Sequence, residues 1–203
     1  MNNKYTQIEI KILKAAKNIF LKKGMGGARM QDIADQAEIN KSLIHYYFKN
    51  KQTLYEIIFN QVFSIVAPKI NRIINDDSSI ENIIRNFTVS YFSFRQRHPH
   101  LSTFIIHELN ENPGFFEKLK THAEFPNIDK FKAQVDKEIQ QGILIPLDAE
   151  QLFINIISLN IFPFIADPFI RGLTNCDQRT YKALLNSRKT EVADFIINSI
   201  KRK

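Results

Sequence analysis

An all-α fold is predicted for this 203-residue chain, and three observations predict it. Apolar residues recur at helical spacing along almost the whole length. The alternation expected of strands is scarce. The 6 Gly and 7 Pro mark the breaks in the pattern. With 44% apolar residues, the chain is long enough to bury a real core.

The first helix is expected over Gln7–Lys23. Thr6 and Glu9 stand at capping-box spacing, and Ile8, Ile12, Ala16, Ile19 and Phe20 form one stripe. Gly24 is the stop. Two short helices follow, Met30–Ala37 and Lys41–Phe48, separated by the turn Glu38-Ile39-Asn40. A longer helix runs from Lys51 towards Asn75, with Pro68 as a kink or break. Asp76 to Ser79 form a loop, and Ser78 and Glu81 repeat the capping-box spacing. The next helix carries Ile80, Ile83, Ile84, Phe87, Tyr91 and Phe94 and ends before Pro99.

Further helices are expected over about 100–111, 115–122, 127–141, 149–170 and 179–201, with Asp148 and Gln151 as one more cap. The apolar run Leu152–Ala166 contains Asn155, Ser158, Asn160 and Pro163, so it is too short and too polar to span a membrane. It is apolar on nearly every face. Such a helix is central in a core or covered by a partner chain.

The formal net charge of +7 is concentrated at one end: residues 1–51 carry +6 and residues 52–203 carry +1. That asymmetry suggests a basic module for a polyanion joined to a near-neutral body. The plainer alternative is a solvated helical surface. The single cysteine, Cys176, argues for a reducing compartment, and the polar start of the chain shows no signal peptide. A cytoplasmic location without membrane attachment is expected.

The segment from Gly24 to Leu54 has the proportions of a helix-turn-helix. In its second short helix Leu43, Ile44, Tyr47 and Phe48 share one face, which can pack on Ile33, Ala34 and Ala37. Lys41, Ser42, His45, Tyr46 and Lys49 fall largely on the other face. A major-groove reader needs this division. Lys41 can donate to guanine O6 and N7. Ser42 allows close approach, and His45 and Tyr46 reach phosphates or a thymine methyl. Asn40 is a good N-cap, and the helix terminus behind it favours phosphate. Lys51 starts the next helix beside the same backbone.

The string Asp32-Ile33-Ala34-x-x-Ala37, followed by Asn40-Lys41-Ser42-x-Ile44-x-Tyr46-Tyr47-Phe48-x-x-Lys51-x-x-Leu54, resembles the DNA-binding domain of the bacterial tetracycline-repressor (TetR/AcrR) family. The likeness covers about residues 5–54. It implies an N-terminal three-helix helix-turn-helix DNA-binding domain, residues 1–50, and a larger helical ligand-binding and dimerisation domain, residues 51–203. It also implies an inverted-repeat operator on double-stranded DNA, a homodimer, and a repressor released by a small effector. Tyr47 is ambiguous: periodicity puts its ring in the core, whereas the resemblance lets its hydroxyl touch a phosphate. The chain departs from the family at four points. Glu38 replaces the usual turn Gly and Ala28 the usual capping Thr, leaving Arg29 as a phosphate contact. Ser42 stands for a Gly, and His45 for the first aromatic of the cluster.

Thirteen of the 17 Phe lie after residue 80. The resemblance implies a pocket among helices starting near Glu81, Pro99 and Asn127. Its candidate lining residues are Phe87, Tyr91, Phe104, His107, Phe116 and Phe162, each of which could equally be core. The dimer is expected through the helices of about 149–170 and 179–201. Four of the five His lie between His98 and His122, without compact metal-ligand spacing. No nucleophile elbow or phosphate loop is present. Neither a cofactor nor an enzymatic role is expected. The rivals are a helical binding protein for an apolar ligand and a metal-dependent enzyme using the His-rich stretch.

Overall fold

In the computed structural model, which describes residues 5–112, 114, 117, 120, 121 and 125–202, the chain is helical as expected. The elements are α1 (Gln7–Gly27), α2 (Met30–Ala37), α3 (Lys41–Phe48), α4 (Lys51–Ile74), α5 (Ile80–Arg97), α6 (Leu101–Glu111), α7 (Asp129–Gln140), α8 (Ala149–Ile165), α9 (Asp167–Thr174) and α10 (Gln178–Ile200). The helix expected over 115–122 falls largely outside the described residues. Among the described residues, extended pairing is limited to a bridge between Leu144 and Lys201.

Two compact units form. The first contains the described residues up to Val66 and α6 from Thr103 onward. It begins with a complete capping box: Thr6 Oγ1 accepts from Glu9 N, and Glu9 Oε2 accepts from Thr6 N. Ile12, Ala16 and Phe20 bury the stripe of α1, whereas Ile8, in its first turn, stays exposed. The helix kinks at Gly24, the expected stop, where φ is +64°. Only glycine reaches that conformation without strain. The buried side chains of α2, Ile33, Ala34 and Ala37, pack on α1. Phe20 meets Tyr55 of α4 edge-on at 4.8 Å, and Tyr55 meets Phe104 of α6 at 5.6 Å. Burying each such ring contributes about 2–3 kcal/mol. Because α4 joins this packing through Leu54, Tyr55, Ile58, Phe59 and Val62, the unit runs past residue 50 to Val66.

The second unit contains Ala67–Ser102 and the described residues from 117 on. Its core gathers Ile80, Ile84 and Phe87 of α5, Phe131 and Val135 of α7, Leu152 and Ile156 of α8, and Val192, Ile196 and Ile200 of α10. Glu138 is buried within it, because Oε1 accepts from the Ile80 N–H at 2.9 Å and from Gln134 Nε2 at 2.7 Å. A side chain from α7 thereby satisfies a donor at the start of α5.

Two expectations need correction here. Ser79, not Ser78, caps α5 by accepting from Asn82 N. The N–H of Ser78 is already committed to Asp76 Oδ1 in the preceding turn. As expected, α4 runs through Pro68 to Ile74. The helix expected over 149–170 breaks at Ala166, and α9 leaves α8 at 79°. Pro163 removes one ladder bond, and Pro168, in the first turn of α9, has no N–H with which to continue the ladder of α8. The bonds to α8 are made good from elsewhere. The Leu159 carbonyl, which Pro163 cannot reach with an N–H, accepts from Arg188 Nη2 at 2.8 Å. The Pro163 carbonyl accepts from Tyr181 Oη at 2.6 Å. The expected cap of α8 is present, with Gln151 N donating to Asp148 Oδ1. Among the described residues, no single helix is long and apolar enough to cross a membrane.

Candidate nucleic-acid interface

The turn between α2 and α3 is made by a residue in left-handed geometry. Glu38 has φ +55° and ψ +46°, and its N–H bonds back to Asp35 O while Ile39 N bonds to Ala34 O. A glycine would adopt this conformation without cost; a glutamate is strained by about 1 kcal/mol. Asn40 then caps α3: Oδ1 accepts from Ser42 N and from Ser42 Oγ, both at 3.0 Å. The Ser42 hydroxyl is therefore oriented by the cap.

Helix α3 buries Ile44 and Phe48 and leaves Tyr47 half-buried, so the inner face is the expected one apart from Leu43, which is exposed. The outer face presents Lys41, Ser42, His45, Tyr46 and Lys49 to solvent. Tyr46 is 79% exposed and edge-on to Tyr47 at 5.1 Å. His45 and Lys49 hold each other. Lys49 N donates to His45 O, and His45 Nδ1 lies 3.1 Å from Lys49 O. A carbonyl can only accept, so Nδ1 carries the proton and Nε2 is left as the outward hydrogen-bonding atom. Lys49 itself sits at φ +58°, a second strained turn after α3. Arg29, ahead of α2, is exposed and makes no capping bond.

Lys51 is placed differently from the other basic residues. Its ammonium donates to the carbonyls of Met25, at 2.9 Å, and Ala28, at 3.2 Å, tying the start of α4 to the α1–α2 connection. One of its three N–H bonds remains for a phosphate. Asn50, which the sequence reading missed, caps α4 by accepting from Thr53 N at 2.8 Å. Its Asn-x-x-Thr spacing is a cap signal. Lys23 pairs with Asp32 at 2.6 Å and holds that carboxyl below the usual aspartate range. Together these elements make a rigid, basic, donor-rich helix with a capped N-terminus, able to donate to base edges and to phosphates.

The candidate pocket residues are divided between the two units. Phe87 is core, and its ring stacks at 6.3 Å on half-buried Tyr91 in the second unit. Phe104 and His107 belong to the first unit, where His107 is exposed and closes on Gly24. Phe162 is 55% exposed, and Phe116 lies outside the described residues. Buried Glu108, beside His107, accepts from Tyr55 Oη and Asn112 Nδ2. Burial first, and then the Glu108 bond, push the Tyr55 phenol far above its ordinary range. Among the described residues no three His, Cys, Asp or Glu gather as metal ligands. His122 lies outside those residues.

Residues 12–58 match the model of the "Bacterial regulatory proteins, tetR family". The chain is 28% identical over 97 residues to the HTH-type transcriptional repressor NicS of Pseudomonas putida, covering 48% of this chain and 46% of that protein. It is 27% identical over 143 residues to the HTH-type transcriptional regulator RutR of Escherichia coli, covering 70% and 66%. The structure superposes on that of the transcriptional regulator FadR of Bacillus subtilis in complex with stearoyl-CoA. The TM-score is 0.63 at 18% identity, and 95% of this chain and 99% of that one are covered. The last likeness is one of fold.

Proposed function

We infer that this chain, whose residues 12–58 match the tetR-family model, is a DNA-binding regulator of that family: a homodimeric repressor that a small apolar ligand releases from an inverted-repeat operator. The observation that carries this reading is the outer face of α3: Lys41, Ser42, His45 and Tyr46 stand exposed on a helix whose cap and inner face fix it rigidly. Lys41 and Ser42 read base edges. Arg29, Asn40, Tyr47, Lys49 and the remaining N–H of Lys51 hold phosphates, so register is set by the backbone and sequence by α3.

The dimer forms through α8 and α10. Ile154, Phe162 and Phe195 are large apolar side chains exposed on these two helices, and a groove of about 370 Å³ lies between them, lined by Leu152, Asn155, Leu159 and Phe195. Two copies on a two-fold axis match an inverted repeat. The Phe-rich second unit supplies the ligand site. FadR, similar in fold, was crystallised with a long-chain acyl thioester, which favours an apolar ligand here. The ligand acts by binding the arrangement that does not fit DNA more tightly, and tenfold release requires about 1.4 kcal/mol of such preference.

Selection from random duplexes tests the reading. An enriched palindrome, bound with steep salt dependence, is expected. Absence of enrichment together with weak, salt-insensitive binding would leave a helical binding protein without a DNA role.

A further inference from the structure

The guanidinium of Arg95, near the end of α5, lies inside the second unit with most of its donors unmet. Its plane rests over the ring of Phe164, 5.5 Å from the centroid, and Nη2 donates to the Phe164 carbonyl at 3.4 Å. Nε and Nη1 are shielded from solvent and have no hydrogen-bond partner among the described residues. Three of the five N–H bonds of this cation are thus shielded and unanswered among the described residues. Asp167, the acid whose charge reaches Arg95, is held at 2.5 Å by Arg171. The Tyr91 hydroxyl is turned to Ser102 Oγ at 3.2 Å. Burial lowers the affinity of Arg95 for its own proton, and the nearby Tyr91 and Asp167 only offset part of this. A cation whose N–H groups are shielded from solvent and only partly compensated is costly to hold, and an anion that completes them offsets that cost.

The surroundings define that anion. Thr88, Tyr91 and Arg95 lie at i, i+3 and i+7, on one face of α5. The Thr88 hydroxyl is also fully buried and has no partner among the described residues. Between these polar groups, about 10 Å apart along the helix, lie the rings of Tyr91 and Phe164, edge-on at 5.7 Å. One guanidinium matches one negative charge, which suits a carboxylate. A phosphate monoester brings nearly two.

We propose that Arg95 anchors the effector of this protein, which is an organic carboxylate with an apolar or aromatic body lying along α5 over Tyr91 and Phe164. The proposal rests on the ligand-responsive reading above and names its ligand class.

The test is calorimetric titration of the full chain with octanoate and benzoate against octanol, benzyl alcohol and octyl phosphate. Wild-type protein should bind at least one of the two acids tenfold or more tighter than its alcohol and than octyl phosphate. Arg95→Gln should lose that preference and keep its affinity for the alcohol, while Arg95→Lys retains part of it. Without ligand, Arg95→Met should melt no lower than wild type, since it removes an unpaired buried charge. Four results would each overturn the anion site: acids binding no better than alcohols, a preference for octyl phosphate, undiminished acid binding by Arg95→Gln, or a lower melting temperature for Arg95→Met. Operator binding measured in the same titrations separates this inference from the one beneath it. Acid binding through Arg95 with no loss of operator affinity leaves the site standing and removes the release mechanism. Release by an alcohol with no acid binding removes the site alone.

Discussion

The hydroxyl of Tyr55 on α4 donates to Oε2 of Glu108 on α6 at 2.5 Å, and both side chains are buried. Asn112 Nδ2 serves the other oxygen at 2.7 Å. The pair lets a carboxyl group be buried beside Tyr55, whose ring packs on Phe20 and Phe104 in the first unit. Tyr55→Phe keeps the ring packing but leaves Oε2 without its donor, and should cost about 1–3 kcal/mol. Adding Glu108→Leu in the same chain should recover part of that loss, because the apolar pair no longer strands a polar atom. Denaturant melts of the two single variants and the double variant check this. Additive losses would mean that the two side chains act independently.

The left-handed geometry of Glu38 gives a second expectation. Glu38→Gly relieves a strained φ of +55° at an exposed position that makes no side-chain bond to a described residue. Stability should rise by about 0.5–1 kcal/mol, the strain relief being partly offset by the freer unfolded chain. Calorimetry should show a melting temperature about 2–3 °C higher. The lost negative charge near the DNA should also raise operator affinity. An unchanged or lower melting temperature would show that the turn is not strained.

Lys41 and Lys51 should separate in their effects. Lys41 is exposed and bonds to no described residue, so Lys41→Ala should leave stability within about 0.5 kcal/mol. It should lower specific binding more than binding to random duplex. Lys51→Met frees the carbonyls of Met25 and Ala28 and should cost about 1–2 kcal/mol of stability. It should also weaken binding to every sequence alike and reduce the salt slope by about one per half-site. Anisotropy titrations at several salt concentrations, alongside thermal melts, distinguish the two residues.

These contrasts mark what was legible in the sequence. Helix α3 was legible because its signals are local: a cap at Asn40, a two-faced eight-residue helix, and a turn whose one odd residue, Glu38, stands out. The all-α class was legible from periodicity. The employment of Lys51 was not, since its acceptors lie 23 and 26 residues away in the chain. The Tyr55–Glu108 bond spans 53 residues and leaves no spacing signature. The break at Ala166 was announced by Pro163 and Pro168. It was missed because the apolar run crosses it without a change of composition. Arg95 carried a faint signal, a charge at helical spacing from Thr88 and Tyr91 on an otherwise apolar stripe.

Pro163 and Arg188 should show a dependence of this long-range kind. Arg188 supplies the donor that Pro163 denies to Leu159 O. Arg188→Met should therefore cost about 1.5–3 kcal/mol in the natural background. In a Pro163→Ala background the helix makes its own bond, and the same change should cost at least 1 kcal/mol less. A double-mutant cycle by urea melts measures the difference. Equal costs in the two backgrounds would mean that the proline is not what makes the arginine necessary.

The apolar face of α8 and α10 gives the last prediction. Val192, Ile196 and Ile200 turn inward, yet Phe195 on the same helix is 66% exposed, and Ile154 is exposed on α8. Burying one such ring against a second copy is favourable by about 2 kcal/mol, and a stable interface needs about 800 Å² from each partner. The protein should therefore sediment as a dimer at micromolar concentration. Phe195→Asp places a charge at that surface without touching the core, so its melting temperature at low concentration should stay near that of wild type. It should sediment as a monomer and bind a palindromic operator at least a hundredfold more weakly. Its binding to an isolated half-site should change little, because α3 is intact. A wild-type chain that sediments as a monomer, or a Phe195→Asp variant that remains a dimer, would move the interface away from these helices.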